Sequence, residues 1–249
     1  SMLQNFESLV LIWLGVGFIT FITLLKVPAP YGKFSKTNWG PMIPSKLGWI
    51  VMEIISPLAL LYFFLNGNIE KTPTNITFVS LWTLHYFNRS VIYPLRQNNP
   101  AQMPLLIAVL AFLFNVMNGY INGTYFGSIQ EYSAEYMSNW NFIVGVCLFI
   151  IGAYINIKSD NILLSLRSKS GEYKIPEGFM FRYVSFPNYL GEILEWMAFA
   201  LMTWSLAGLS FMIWTMANLV PRAIKGHQWY HDKFESYPKN RKAIFPFII

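Results

Sequence analysis

The sequence predicts an all-α, polytopic integral membrane protein of seven transmembrane helices, with its N terminus outside and its C-terminal tail in the cytosol. Three observations carry that prediction. Of the 249 residues 54% are apolar and only 12% charged, where a soluble domain has about 25% charged residues; mean hydropathy is +0.39. Apolar runs recur along the whole chain at lengths near the ~20 residues a helix needs to cross hydrocarbon. The loops between them alternate in basic character at every crossing.

The expected spans are 8–26, 47–65, 76–95, 103–120, 140–157, 189–206 and 208–223, in one domain covering 1–249. The first is read as a retained span: Leu9 to Leu25 is too long for a signal-peptide core, Glu7 stands where a basic region should, and no small-residue cleavage site follows. Prolines 28, 30, 41 and 44 punctuate the first loop, which carries Lys26, Lys33, Lys36 and Lys46 and no acid. Loop 66–75 sets Glu70 against Lys71, and Arg96 follows the third span. Loop 121–139 has only Glu131 and Glu135, whereas loop 158–188 and the tail are mainly basic. The turn at Ala207 and Gly208 is the one place where two spans could be a single bent helix.

Several function classes are excluded. The net charge of +6 follows from basic cytosolic loops and needs no nucleic-acid partner. Cys147 is the only cysteine, which rules out an intrachain disulfide. No GxGxxG, Walker loop, HEXXH or G-x-S-x-G motif occurs, and His85, His227 and His231 do not make a metal site.

Polar residues at membrane depth are the candidates for function. Glu53 lies in WIVMEIISPL, two turns into the second span. A charged carboxylate there costs a few kcal/mol at least, so it must face the bundle interior, either as helix-to-helix glue or in a site. In LWTLHYFNRSVIY, Tyr86, Arg89 and Tyr93 recur three and four apart with His85 and Asn88 alongside, a stripe on one helical face. PNYLGEILEW opens the sixth span with Asn188, Tyr189, Glu192 and Glu195; capping would account for one acid but not two. Asn156, Asp160 and Arg167 recur at helical spacings in NIKSDNILLSLR, and the tail is dense in Arg, Lys, His and Tyr. Such a tail can bind anionic lipid or neutralise phosphates.

LHYFNR, NIKSDNILLSLR, PNYLGEILEW, RAIKGHQWY and FESYPKNRKAIFPFI together resemble the steroid 5-alpha-reductase family, and a bacterial member of it. The resemblance implies seven membrane helices and NADPH-dependent reduction of the 4,5 double bond of 3-oxo-4-ene steroids. It implies that Glu53 and Tyr86 polarise the substrate's C3 carbonyl. Around the cofactor it places Asn156, Asp160, Arg167, Tyr173, Asn188, Glu192, Arg222, His227, Tyr230 and Arg241, with Arg89 and Arg96 nearby. The cytosolic loop and tail would then build the cofactor site on the cytoplasmic side of a bacterial inner membrane. A hydrophobic substrate would arrive from the bilayer, and no obligate protein partner is implied. Trp49, Trp82 and Phe87 are bulky enough to line a flat ring system. Two departures stand out: Met52 replaces a glutamine of the mammalian enzymes, and Gly226 replaces one of a run of histidines, which marks that histidine as dispensable and His227 as the one that matters. The alternatives are a membrane reductase of another enone, a polyprenol or an enoyl thioester, an S-adenosylmethionine-dependent methyltransferase, or a non-enzymatic carrier.

Overall fold

The computed structural model describes residues 1–98, 100–167 and 172–249; residues 168–171 of the expected cytosolic loop lie outside them. The chain is mostly helical. It runs as α1 (Met2–Lys26), β1 (Met42–Pro44), α2 (Ser45–Leu65), α3 (Pro73–Phe87), a π turn (Asn88–Ile92) and α4 (Tyr93–Arg96). Then follow β2 (Gln102–Pro104), α5 (Leu105–Thr124), α6 (Trp140–Leu166), α7 (Pro187–Thr203) and α8 (Leu206–Lys233). The all-α expectation is corrected by one small feature, an antiparallel pair of three-residue strands in which Ile43 faces Met103. It ties the foot of α2 to the foot of α5.

Four helices are long and apolar enough to cross a membrane: Met2–Lys26, Ser45–Leu65, Leu105–Ile129 and Trp140–Leu166. The other three expected spans fall on helical rods that do not meet that measure. The rod at 76–95 is not one regular helix. Pro94 has no N–H to give, and the Tyr93 N–H reaches back five residues to the Asn88 carbonyl, which makes the π turn. Such turns cluster at functional sites.

The last two rods are separate helices. Trp204 takes a left-handed φ of 47°, and the Ser205 hydroxyl accepts from the Gly208 N–H at 2.9 Å to start α8. The break therefore precedes Ala207 and Gly208. Two helices outrun the expected spans: α6 continues to Leu166 rather than 157, and α8 to Lys233 rather than 223. Polar residues such as Lys158 and Asp160 end the apolar run without ending the helix. These projecting ends carry much of the candidate site.

The helices pack in pairs: α6 along α7, α2 along α5, α1 against α8, and α7 against α8. Small residues let the backbones approach, as lipid-embedded helices require. A Cβ at Gly191 would stand 2.5 Å from the Asn156 nitrogen, and one at Gly152 would stand 2.7 Å from the Gly191 carbonyl oxygen. Gly119 and Gly123 meet the α2 backbone around Leu60 in the same way. An aromatic core of Trp82, Trp196, Phe199 and Phe211 fills the middle of the molecule. A second cluster, with Phe186, Tyr230 and Tyr237, sits under the projecting end of α8.

The α6–α7 contact yields a first test. Gly191→Ala adds a methyl where there is no room and should cost about 1–3 kcal/mol, the usual cost of overpacking, read as a lower thermal-unfolding midpoint in detergent. Gly15→Ala, with nothing within 4 Å of the added carbon, should leave the midpoint unchanged or raise it.

Candidate functional site

Beside the second aromatic cluster, whose Phe186 and Tyr230 help to line it, lies a cavity of about 280 Å³. Eight residues expected from the sequence line it: Trp49, Arg89, Asp160, Arg167, Tyr173, Asn188, Arg222 and Tyr230. They arrive on several elements. Trp49 stands on the first turns of α2, Arg89 in the π turn, Asp160 on the extended α6, Asn188 at the start of α7, and Arg222 and Tyr230 on α8. Arg167 caps the C terminus of α6.

One wall is cationic and aromatic. The Lys33 ammonium lies 4.8 Å from the ring centres of Tyr173 and Tyr230, and 5.2 Å from that of Trp229. It donates to the Tyr230 hydroxyl at 3.4 Å. Arg222 stacks 3.7 Å over the Tyr31 ring and donates to the Tyr31 carbonyl at 3.0 Å. Among the described residues, no carboxylate comes within ion-pair distance of Lys33, Arg167 or Arg222. Burial and the charges of Arg167 and Arg222 push the Lys33 amine down to about 7.

The opposite wall offers hydrogen bonds. Arg89 pairs with Asp160 at 3.4 Å, leaving the other Asp160 oxygen free. The Trp49 indole N–H and the Asn188 side-chain oxygen are likewise buried without a hydrogen-bond partner. All three residues line the cavity, so these atoms are hydrogen-bonding groups with capacity to spare there. Unpaired cations among aromatics on one side and free hydrogen-bonding groups on the other suit an anionic nucleotide.

The remaining expected residues surround the cavity rather than line it. Asn156 donates to the Asn188 carbonyl at 2.9 Å and so fixes the start of α7. Ser185 bonds both His227 Nδ1 and the Tyr237 hydroxyl at 2.6 Å. Burial first, then His231, Arg241 and Lys242, push the His227 imidazole down to about 4, so it is neutral at pH 7. Arg241 donates to the Pro176 carbonyl at 2.9 Å and to Tyr237 at 3.2 Å, pinning the tail to the loop before α7. Arg96 is exposed and bonds Asn161 at 2.7 Å.

Deeper in the bundle, Tyr86 is 5% exposed beneath Trp82, Trp196 and Phe211. The Glu53 carboxyl lies within electrostatic reach of Tyr86, Arg89, Glu192 and His85. His85, left without a role by the sequence, bridges Glu195 at 2.6 Å and Glu192 at 3.4 Å.

Of the three residues expected to line the substrate's ring system, Trp49 lines this cavity instead, and Phe87 and Trp82 do not line it. Phe87 is 52% exposed, because adjacent helical residues point about 100° apart and the one after Tyr86 turns outward. Trp82 shares the Tyr86 face but is sealed in the core, donating to Ser56 at 3.0 Å. Conversely, the sequence reading passed over Tyr31 and Lys33. Their signal was an acid-free, Pro-rich loop that also carries aromatics, PAPYGKF.

A profile of the 3-oxo-5-alpha-steroid 4-dehydrogenase family matches residues 101–249. Tomato (Solanum lycopersicum) steroid 5-alpha-reductase DET2 is 43% identical over 98% of this chain and 96% of its own. The rat (Rattus norvegicus) 3-oxo-5-alpha-steroid 4-dehydrogenase 1 is 38% identical over 94% of this chain and 92% of its own. The human (Homo sapiens) enzyme of that name is 35% identical over 94% and 91%. These relatives are plant and mammalian, and lend no support to a bacterial placement. The match extends over nearly the whole chain, apolar helices and cavity walls alike, and the chain belongs to the steroid 5-alpha-reductase family of oxidoreductases acting on a CH–CH group.

Proposed function

We propose that this protein reduces the 4,5 double bond of a 3-oxo-4-ene steroid with NADPH, and that Tyr86 and Glu53 polarise the C3 carbonyl. The observation that carries the proposal is a cationic, aromatic cavity together with two partly buried acids, Glu53 and Glu192, that act on the buried Tyr86. The cavity matches a charged cofactor, and the acids beside Tyr86 match the carbonyl end of an apolar substrate. Seven crossings and a cytosolic cofactor face, proposed from the loop charges, would bring the cofactor through the basic mouth while the substrate arrives from lipid.

NADPH, when bound, supplies a hydride at C4 of its nicotinamide. Lys33, Arg167 and Arg222 are the cations available to its phosphates, and Trp49, Asp160 and Asn188 the free hydrogen-bonding groups for its neutral parts. Tyr86 donates its phenolic proton toward the carbonyl oxygen, and Glu53 donates as the neutral acid. Donors aimed at that oxygen stabilise the enolate that develops as the β carbon accepts hydride. Trp82, Trp196 and Phe211 exclude water from Tyr86, which strengthens the contact. Asn156, His227 and Arg241 act by holding the walls.

The direct test is NADPH oxidation by detergent-purified protein against a 3-oxo-4-ene steroid, an enoyl thioester and a polyprenal, with product identification. A 5-alpha-reduced steroid supports the proposal; turnover of either other substrate alone overturns it. Tyr86→Phe should lower kcat by roughly a hundred-fold or more, the loss of one oxyanion donor, with NADPH affinity unchanged. Wild-type turnover by Tyr86→Phe would remove Tyr86 from the reaction.

Cofactor binding should depend on pH through Lys33. Its amine is lowered to about 7 in the free protein, and a phosphate beside it favours the charged form. Binding therefore takes up a proton as pH rises above about 7, and affinity should fall by up to about ten-fold per pH unit. Lys33→Met should bind NADPH more weakly and flatten that dependence, as read by titrating NADPH between pH 6.5 and 9. A slope unchanged in Lys33→Met would assign it to another group.

A further inference from the structure

The carbonyl-polarising step uses neither His85 nor Glu195, yet both are buried and ionisable. His85 is 8% exposed and Glu195 1%. Carboxylate oxygens face both ring nitrogens, Glu195 Oε2 at 2.6 Å from Nδ1 and Glu192 Oε1 at 3.4 Å from Nε2. The Nδ1 contact is a hydrogen bond, whereas Nε2 forms none and meets Glu192 only at ion-pair distance. A proton on Nε2 would be attracted to that carboxylate, and an imidazolium between the two carboxylates leaves the triad with one net negative charge.

Aromatic rings close the triad off, with Tyr86 and Trp196 each 4.9 Å from His85 between ring centres. The other Glu195 oxygen has no hydrogen-bond partner. An ionisable group this costly at membrane depth persists where it serves function. The two acids differ in outlook. Glu195 meets only His85 at hydrogen-bond distance among the described residues, whereas the charge of Glu192 is felt at Arg89, Asp160, Glu53 and Tyr86. Glu192 thus acts electrostatically on both the Arg89–Asp160 pair at the cavity and the carbonyl-polarising pair.

We propose that His85 is a positioning residue for the reduction: anchored by its hydrogen bond to Glu195, it holds the Glu192 carboxylate in place through the charge of its imidazolium. This rests on the steroid-reductase reading above. The charged and titratable groups bearing on His85 are Glu53 from α2, Tyr86 from its own rod, Asp160 from α6, and Glu192 and Glu195 from α7. Of these, Glu195 is the one whose removal frees the imidazole without touching the proposed substrate or cofactor contacts.

The test compares wild type, Glu195→Gln and His85→Gln in the purified full chain, measuring NADPH affinity by direct binding and kcat from pH 5.5 to 8.5. Glu195→Gln should add a titration to the kcat profile near the ordinary histidine range, about pH 6 to 7, with activity lost as pH rises through it. His85→Gln should lose kcat by about ten-fold, the worth of one close charge pair, with no added titration. Both should bind NADPH as wild type does. A wild-type pH profile in Glu195→Gln overturns the role of His85 and leaves the reductase reading intact, and this variant decides the matter even if His85→Gln does not fold. Wild-type protein that neither binds nor oxidises NADPH overturns both.

Discussion

Charge inside an apolar bundle has to be paired, and the Arg89–Asp160 contact is the pair on which the arrangement turns. Arg89 stands in the π turn that Pro94 imposes, and Asp160 stands on α6 beyond the end of its apolar run. Their 3.4 Å contact joins the rod at 73–96 to α6. Removing either partner would leave an uncompensated buried charge, a heavier penalty than the pair's own net worth. The same guanidinium lies 5.4 Å from the Trp49 ring centre and 5.0 Å from that of Tyr93, so three chain segments converge on it. Around this point one Asp160 oxygen remains free for a ligand.

The geometry of the acids follows from backbone approach. Because Gly152 and Gly191 let α6 and α7 touch, Asn156 reaches the Asn188 carbonyl and the first two turns of α7 lie against α6. Glu192 and Glu195, three residues apart, then share a helical face that looks toward His85 on α3. A wider helix separation would break the Asn156 bond and move Glu192 away from His85 and Arg89 together. Small residues at this crossing are therefore as much part of the candidate site as the charged ones.

What could be read from the sequence, and what could not, divides along physical lines. Polar residues within apolar runs were legible because their cost demands a purpose, and eight of the expected residues do line one cavity. The ends of α6 and α8 were not legible, since hydropathy measures lipid contact rather than helix, and both helices continue where hydropathy falls. Phe87 failed because nearness in sequence to Tyr86 is not nearness on a helical face. Tyr31 and Lys33 were missed because loop charge was weighed only for sidedness; that the loop folds back under Arg222 is a tertiary fact no local pattern encodes. His85 needed its partners on α7 before it could mean anything.

Positions 226 and 52, which the resemblance singles out, also take on a physical sense. A Cβ at Gly226 would stand 2.3 Å from the Phe186 ring, and that ring stacks on Tyr189 at 5.1 Å while helping to enclose Lys33. A histidine at this position would need the Phe186 ring displaced, and with it part of the cationic wall. Glycine at 226 and phenylalanine at 186 are thus coupled choices. Met52 is 4% exposed, and its carbonyl accepts from Asn115 of α5 at 2.6 Å. Being next to Glu53 on the helix, it points about 100° away from it, into the α2–α5 contact. That carbonyl lies directly before Glu53, near the turn in which Pro57 withholds a backbone donor. Asn115 therefore braces the backbone that aims Glu53, whichever side chain occupies position 52.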